Sequence, residues 1–322
     1  MSTLVAQCSL RVSLVGGGTD IPSVSAALPG SGGVVGFSIN KKVTVMQHPF
    51  YTNGFRFKYS EVEDVPDARQ LRHPIAAGVF RHYGYSGIGT EFASLADVKG
   101  GTGLGSSSAF CNCLVALCET ISNNHCSSAS IAYKSSQIEI LECGRSIGMQ
   151  DHFLCALAGV QVLKFHGHEF PSINGISYPD EWHSESSSPF SLVAFGGNHD
   201  SDDNLRNVGT KLDSLERLAS LVEPAVRAIQ ARDLRGLGEV VLEGWRLKKQ
   251  YAVASINNAV DEALGAAINR CGAYGGKLLG SGGAGFLLVI GGETTKLRAE
   301  FRDRFIPIAL ATRAISVAVI SD

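Results

Sequence analysis

Apolar and polar residues alternate along Ser9-Leu-Arg-Val-Ser-Leu-Val15, the two-residue period of a strand with one apolar face. The run stops at Gly16-Gly17-Gly18-Thr19-Asp20, a tight loop carrying one acid. Strand patterns recur at 33–46, around Asn40-Lys41-Lys42, and at 53–60, where the alternation suits an antiparallel partner. Residues 74–83 read as helix, and 88–96 as a strand feeding a glycine-dense stretch. From Ser107 the apolar positions Phe110, Cys113, Leu114, Leu117 and Ile121 return at helical spacing. A second helix is predicted over 127–142, with Ile131, Ile138 and Leu141 on one face and Ser128 in its capping region. A small-residue helix led by Asp151 runs to Gly159, and 160–165 is strand-like.

Residues 166–190 are rich in His, Ser, Gly, Pro and Asn and mark the expected domain edge. Beyond them come a strand at 191–195 and three helical segments around 215–229, 237–249 and 260–268. A second glycine-rich stretch spans 272–285, followed by a strand at 286–290, a helix at 294–304 and a last strand at 313–320. A first hundred residues made mostly of antiparallel strands argues against a doubly wound fold, which needs repeated strand–helix units. The expected class is α+β in two domains, 1–185 and 186–322.

Composition adds bounds. With 322 residues, 44% hydrophobic and 18% charged, the chain is ordinary globular material of about two domains. A net charge of −2 gives neither a nucleic-acid stripe nor a polybasic membrane patch. Eight cysteines without a C-x-x-C pair, several inside apolar patterns, read as reduced thiols in a cytoplasmic protein, with zinc as the weaker alternative. Leu4-Val5-Ala6-Gln7-Cys8 is faintly like a lipoprotein cleavage site, but it lacks a basic leader and Arg11 interrupts the apolar run, so no signal peptide is expected. No membrane span is expected either, since no run of about 18 apolar residues occurs.

The chemistry concentrates in Lys99-Gly-Gly-Thr-Gly-Leu-Gly-Ser-Ser-Ser-Ala109. Glycines let backbone N–H groups approach a ligand, and a helix starting at the serines aims its free N–H groups at it. That is an anion site, most often for phosphate. A Walker A loop would place a lysine after Gly105, and none is there. A Rossmann fingerprint would need a third glycine where Ser106 stands and an earlier position in the chain. The His-Arg-Asp and Asp-Phe-Gly partners of a protein-kinase loop are absent.

Gly101-x-Gly-Leu-Gly-Ser-Ser-Ser-Ala109 resembles the second motif of the GHMP small-molecule kinases, the superfamily of galactokinase, homoserine kinase and mevalonate kinase. Arg11-Val-Ser-Leu-Val-Gly-Gly-Gly-Thr-Asp20 is similar to its first motif, in the form carried by D-glycero-D-manno-heptose 7-phosphate kinases. Met149-Gln150-Asp151-His152 resembles that branch's Gln-Asp-Gln, and the 272–285 stretch resembles the third motif. Two departures stand out: Val98-Lys99-Gly100 lacks the usual proline, and His152 replaces a glutamine.

The resemblance implies a two-domain fold with ATP and Mg²⁺ in the inter-domain cleft. It assigns Gly101, Gly103, Leu104, Gly105, Ser106, Ser107 and Ser108 to ATP, and Ser107 with Glu139 to the metal, Glu142 being the competitor. Asp151 becomes the general base, its residue-level alternative being a helix N-cap. Arg11 either neutralises the transferring phosphate, lowers the Asp151 pKa, or is a structural ion partner. Gly17, Gly18, Thr19, Asp20, Gln150, Gly282 and Gly283 fall to the sugar. The implied reaction phosphorylates the anomeric hydroxyl of a heptose 7-phosphate, for nucleotide-activated heptose. Lys248, Lys249, Lys277 and Arg72 are candidates for a distal phosphate, and spacing does not choose among them. The rivals are a kinase of an unphosphorylated sugar, galactokinase- or fucokinase-like, and a non-catalytic sugar-binding regulator. The partners are small molecules, with a homodimer left open.

Overall fold

The computed structural model describes residues 2–51, 53–195, 212–250, 254–280 and 285–320. The first sheet uses β1 (Thr3–Val15), β2 (Gly32–Pro49), β3 (Phe55–Lys58), β4 (Val62–Val65), β5 (Thr90–Ala96), β6 (Val160–Phe165) and β7 (Ser172–Ile176). The second uses β8 (Phe190–Phe195), β9 (Ala273–Leu278), β10 (Gly285–Gly291) and β11 (Phe305–Pro307), while β12 (Ile315–Ile320) returns to the first. The strand order is β12-β1-β2-β5-β3-β4 in one and β11-β8-β10-β9 in the other, with β6 pairing β2 and β7. An expected division at 185/186 assigns β12 to the second unit, but its backbone pairs antiparallel with β1, Thr3 opposite Ile320.

The long strand β2 organises the first sheet. One edge pairs β1, and the other serves β6 over Gly32–Phe37 and then β5 over Val43–Pro49. The register against β1 jumps between Ser9 and Leu10, whose partners are Lys42 and Ile39, so Asn40 and Lys41 bulge out. The alternation of β1 has a specific result. Leu10, Val12 and Leu14 enter the core, while the polar face (Ser9, Arg11, Ser13) is also buried.

The helices of the first half are α1 (Pro22–Ala27), α2 (Pro74–His82), α3 (Ser106–Ile121), α4 (Ser128–Gln137) and α5 (Gln150–Ala156). Every residue of α3 from Ser108 to Glu119 is buried. It runs between β1 and β2 on one side and α2, α4 and α5 on the other. Cys111, Cys113 and Cys118 act there as small apolar fillers. The cap of α4 is Ser127, whose side chain accepts from Ser130 N. The helix predicted over 127–142 changes geometry at its end, where Ile138–Glu142 forms a π-turn. The stretch 166–190, expected as a linker, contains β7 and a short 3₁₀ turn that buries Trp182.

The second half adds α6 (Leu212–Ser220), α7 (Val222–Gln230), α8 (Leu234–Lys248), α9 (Ala254–Cys271) and α10 (Thr294–Phe301). Helices α8 and α9 cover β9 and β10. One apolar cluster joins Leu10 and Phe37 of the first sheet to Leu192, Leu288 and Ile290 of the second, so the two sheets share a core. All eight cysteines are free. Among the described residues no helix is long and apolar enough to cross a membrane.

Candidate active site

A cleft lies where the end of β1, the loop before α3, the start of α5, and the α8 and β9 termini meet. It is lined by Arg11, Gly17, Gly18, Asp20, Gly101, Gly103, Gly105, Ser106, Ser107, Ser108, Gln150 and Asp151, all residues singled out from the sequence.

Gly105 is the N-cap of α3 in a left-handed conformation, φ 75°, which starts the helix at Ser106 and aims its first N–H groups into the cleft. Arg11 anchors the opposite wall. Its Nε and Nη2 donate to the two oxygens of Asp151 at 2.7 and 2.6 Å, and Nη1 donates to Gly103 O at 2.6 Å. The arginine is buried and Asp151 is partly open, so the carboxylate faces the cleft from a fixed position. Asp151 lies inside the first turn of α5, whose N-cap is Met149, so the N-cap alternative for Asp151 does not hold.

Asp20 holds the start of α5. Its oxygens accept from Gln150 N at 2.9 Å, Gln150 Nε2 at 3.0 Å and Gly18 N at 3.1 Å. Burial pushes its carboxyl up to about 6, with Asp151 adding to the shift and the N–H groups of Gln150 and Gly18 opposing it. Next to it, Gln150 Oε1 and Ser13 Oγ are buried with no hydrogen-bond partner among the described residues. Both residues line the cleft, so this wall offers acceptors for hydroxyl groups.

Three expected contacts sit elsewhere. Thr19 is fully buried, its hydroxyl donating to Gly16 O at 2.7 Å and accepting from Gly33 N at 3.0 Å, which ties the first loop to β2. The Leu104 side chain is in the core, and its carbonyl accepts from Arg11 N at 3.0 Å. Glu139 is fully buried behind the cleft, with Oε2 2.8 Å from Arg145 Nη1 and Oε1 3.0 Å from His152 Nε2. The other metal candidate, Ser107 Oγ, accepts from the same Arg145 Nη1 at 3.1 Å. The expected metal pair therefore has a guanidinium between its members and no free Glu139 oxygen, so as arranged it does not fit a protein-held Mg²⁺. Glu142 is no substitute: it pairs with His82 at 2.5 Å away from the cleft lining. Gly282 and Gly283 lie outside the described residues.

The structure also sorts the distal cations. Lys248 and Lys277 line the cleft. Lys249 pairs with Asp261 at 2.6 Å and Arg72 with Glu61 at 2.8 Å, both outside it. Lys248 Nζ donates to Leu278 O at 3.2 Å and to Gly280 O, and Lys277 Nζ to Leu14 O at 3.0 Å. Burial, reinforced by the Arg11 charge and opposed by Asp151, lowers the Lys248 amine to about 7. Burial, then Lys248 and Arg11, takes Lys277 well below its ordinary value. The described lining carries four basic residues (Arg11, Arg145, Lys248, Lys277) and two acids (Asp20, Asp151), with the two guanidiniums as its fixed positive charges. Arg145 had no role in the sequence reading; its only signal was a lone arginine between two glycines after an acidic helix end.

Comparison with known proteins agrees with this geometry. Residues 72–159 match the GHMP kinases N terminal domain and residues 225–306 the GHMP kinases C terminal domain. A D-glycero-alpha-D-manno-heptose 7-phosphate kinase of Campylobacter jejuni is 23% identical, the match covering 92% of this chain and 91% of that protein. Among solved structures, a D-glycero-D-manno-heptose 1-phosphate kinase from Bacteroides thetaiotaomicron has TM-score 0.78 at 20% identity, covering 99% of this chain and 100% of that one. The mevalonate kinase of Methanococcus jannaschii has TM-score 0.71 at 12% identity, covering 97% and 99%. At these identities the structural likeness speaks for the fold alone. With both domain matches in the expected order and the cleft built from the matching loops, the chain belongs to the GHMP kinase family and is a phosphotransferase.

Proposed function

We propose that this protein is a sugar kinase that transfers the terminal phosphoryl group of ATP to the anomeric hydroxyl of D-glycero-D-manno-heptose 7-phosphate, giving the 1,7-bisphosphate for nucleotide-activated heptose. The observation that carries the reading is the fixed Arg11–Asp151 pair between two unlike walls. On one side are the glycine loop and the α3 N-terminus, suited to nucleotide phosphates. On the other are Asp20 and the unpartnered acceptors of Ser13 and Gln150, suited to sugar hydroxyls.

Phosphoryl transfer asks mainly for positioning and for neutralisation of charge. Asp151 accepts the proton of the attacking hydroxyl, and Arg11 fixes the carboxylate while adding positive charge beside the transferred group. Lys248 and Lys277, which also line the cleft, receive the phosphate the sugar already carries. The C. jejuni relative named as a heptose 7-phosphate kinase supports that substrate.

A panel of sugars with coupled ADP detection tests the proposal. Turnover with the heptose 7-phosphate and little with free hexoses, galactose or fucose is the expected result. Turnover with a free sugar and none with the heptose phosphate would reject the substrate while leaving the kinase reading intact.

A further inference from the structure

The π-turn at Ile138–Glu142 has a consequence at the nucleotide end of the cleft. Such a turn inserts an extra residue into a helix and redirects the side chains that follow. Glu139 lies within this turn, and its carboxylate is fully buried between His152 and Arg145. Burial alone would raise this acid, but the His152 hydrogen bond and the Arg145 charge outweigh it and hold the carboxylate below its usual range. Arg145 is tied at two levels, since its backbone N also donates to Glu139 O at 3.1 Å. Its Nη1 then reaches forward to Ser107 Oγ in the first turn of α3. The neighbouring Cys111 thiol donates to Ser135 O at 3.7 Å.

We propose that Arg145 is the cation this protein presents to the terminal phosphates of the nucleotide at the α3 N-terminus, with Glu139 and His152 as its buried positioning residues rather than metal ligands. A planar guanidinium suits this task, because its several N–H donors can serve a carboxylate behind and phosphate oxygens in front at once. His152, which departs from the family pattern, lies 3.0 Å from the second Glu139 oxygen, so both oxygens of the acid are already engaged within the protein. Glu139 then contributes no ligand to a divalent ion, and any such ion arrives on the nucleotide.

This inference rests on the nucleotide reading given above, and calorimetry with AMPPNP separates the two. The analogue is titrated into wild-type protein, Arg145→Gln, Arg145→Lys and Glu139→Gln, once in EDTA and once in excess Mg²⁺. Wild type should bind in both conditions with affinities within about tenfold of each other. Arg145→Gln should lose about tenfold or more in EDTA, the scale of a lost charge-assisted contact, and Arg145→Lys, which keeps the charge but not the fork, should recover only part of it. Glu139→Gln should weaken both conditions alike. The proposal is overturned if Arg145→Gln strengthens Mg²⁺-dependent binding, or if Glu139→Gln weakens binding only when Mg²⁺ is present. Either result would mean that Arg145 merely covers a metal site. Thermal melting of each variant shows that the fold is intact. Wild-type protein that binds AMPPNP in neither condition would refute the nucleotide site itself, and this inference with it.

Discussion

With the sugar phosphate placed on Lys248 as proposed, the lowered amine of this lysine should make substrate binding take up a proton. Lys248 has an amine near 7 in the empty cleft, against an ordinary 10.5. At pH 8 about one molecule in ten therefore carries the charge. A sugar phosphate placed against this amine favours its protonated form, so binding should draw about 0.9 proton from the buffer through Lys248. The phosphate itself contributes almost nothing at this pH, because its second pKa is about 6. Lys277, also lowered by burial, is the second amine on this wall. Calorimetry at pH 8 in buffers of different ionisation enthalpy gives the number directly, as the slope of apparent enthalpy against buffer enthalpy. Lys248→Met should reduce that slope by about 0.9 proton, whereas Lys249→Met should leave it unchanged, its amine being held by Asp261. The sign also appears in stability. A base lowered in the folded state binds fewer protons folded than unfolded between about 7 and 10.5, so the unliganded protein should gain stability as pH rises through that window. Affinity for the sugar phosphate should move the other way, full below pH 7 and falling above it. A wild-type slope of zero at pH 8, or one that survives Lys248→Met, would refute the placement of a phosphate against this lysine.

Other perturbations test separate parts of the cleft. Asp151→Asn should lower kcat by about a hundredfold or more while AMPPNP affinity stays within about threefold; unchanged turnover would remove Asp151 from the base role. Gly148→Ala places a Cβ 1.9 Å from Asp20 Oδ2, which forces the acid off its three N–H donors. A stability loss of about 2–4 kcal/mol in urea and a raised KM for the sugar are expected, and neither change would mean that Asp20 does not fix the α5 start. Ser13→Ala should raise the sugar KM and leave thermal stability unchanged or slightly higher, since it deletes a buried hydroxyl with no partner. Gly103→Ala should cost about 1–3 kcal/mol in urea, because it combines φ +80° with a Cβ 2.7 Å from Leu279 O.

What the sequence made legible follows from which facts are local. The alternation over residues 9–15 and the glycines after it place Arg11, Gly17 and Asp20 at the end of a strand, and the structure puts all three in the cleft. Side-chain direction within a motif is not local. Thr19 and Leu104 sit among ligand-facing neighbours, yet the backbone turns them toward β2 and the core. The Arg145 contact was invisible for a related reason. It depends on a π-turn that adds one residue to an otherwise ordinary helical pattern, and on an α3 side chain 38 positions away. The last strand pairs with β1 across the whole chain, which no periodicity encodes. Lys277 was among the distal-phosphate candidates, but its strand was hidden inside a glycine-rich stretch that reads as loop: Ala273–Leu278 is a strand whose small residues admit α8 against it.

The second glycine-rich stretch resembles the family's third motif, and its described glycines make room for protein. A Cβ on Gly280 would lie 2.5 Å from Gly103 Cα, and one on Gly285 would lie 2.2 Å from Thr102 O. The two glycine loops, one from each half of the chain, thus meet backbone to backbone. Their contact lies directly beside the two groups that hold them: Arg11 on Gly103 O and Lys248 on Gly280 O. Both groups that hold the junction also line the cleft, so a phosphate placed against either, as proposed, would compete with a carbonyl of the contact between the two loops.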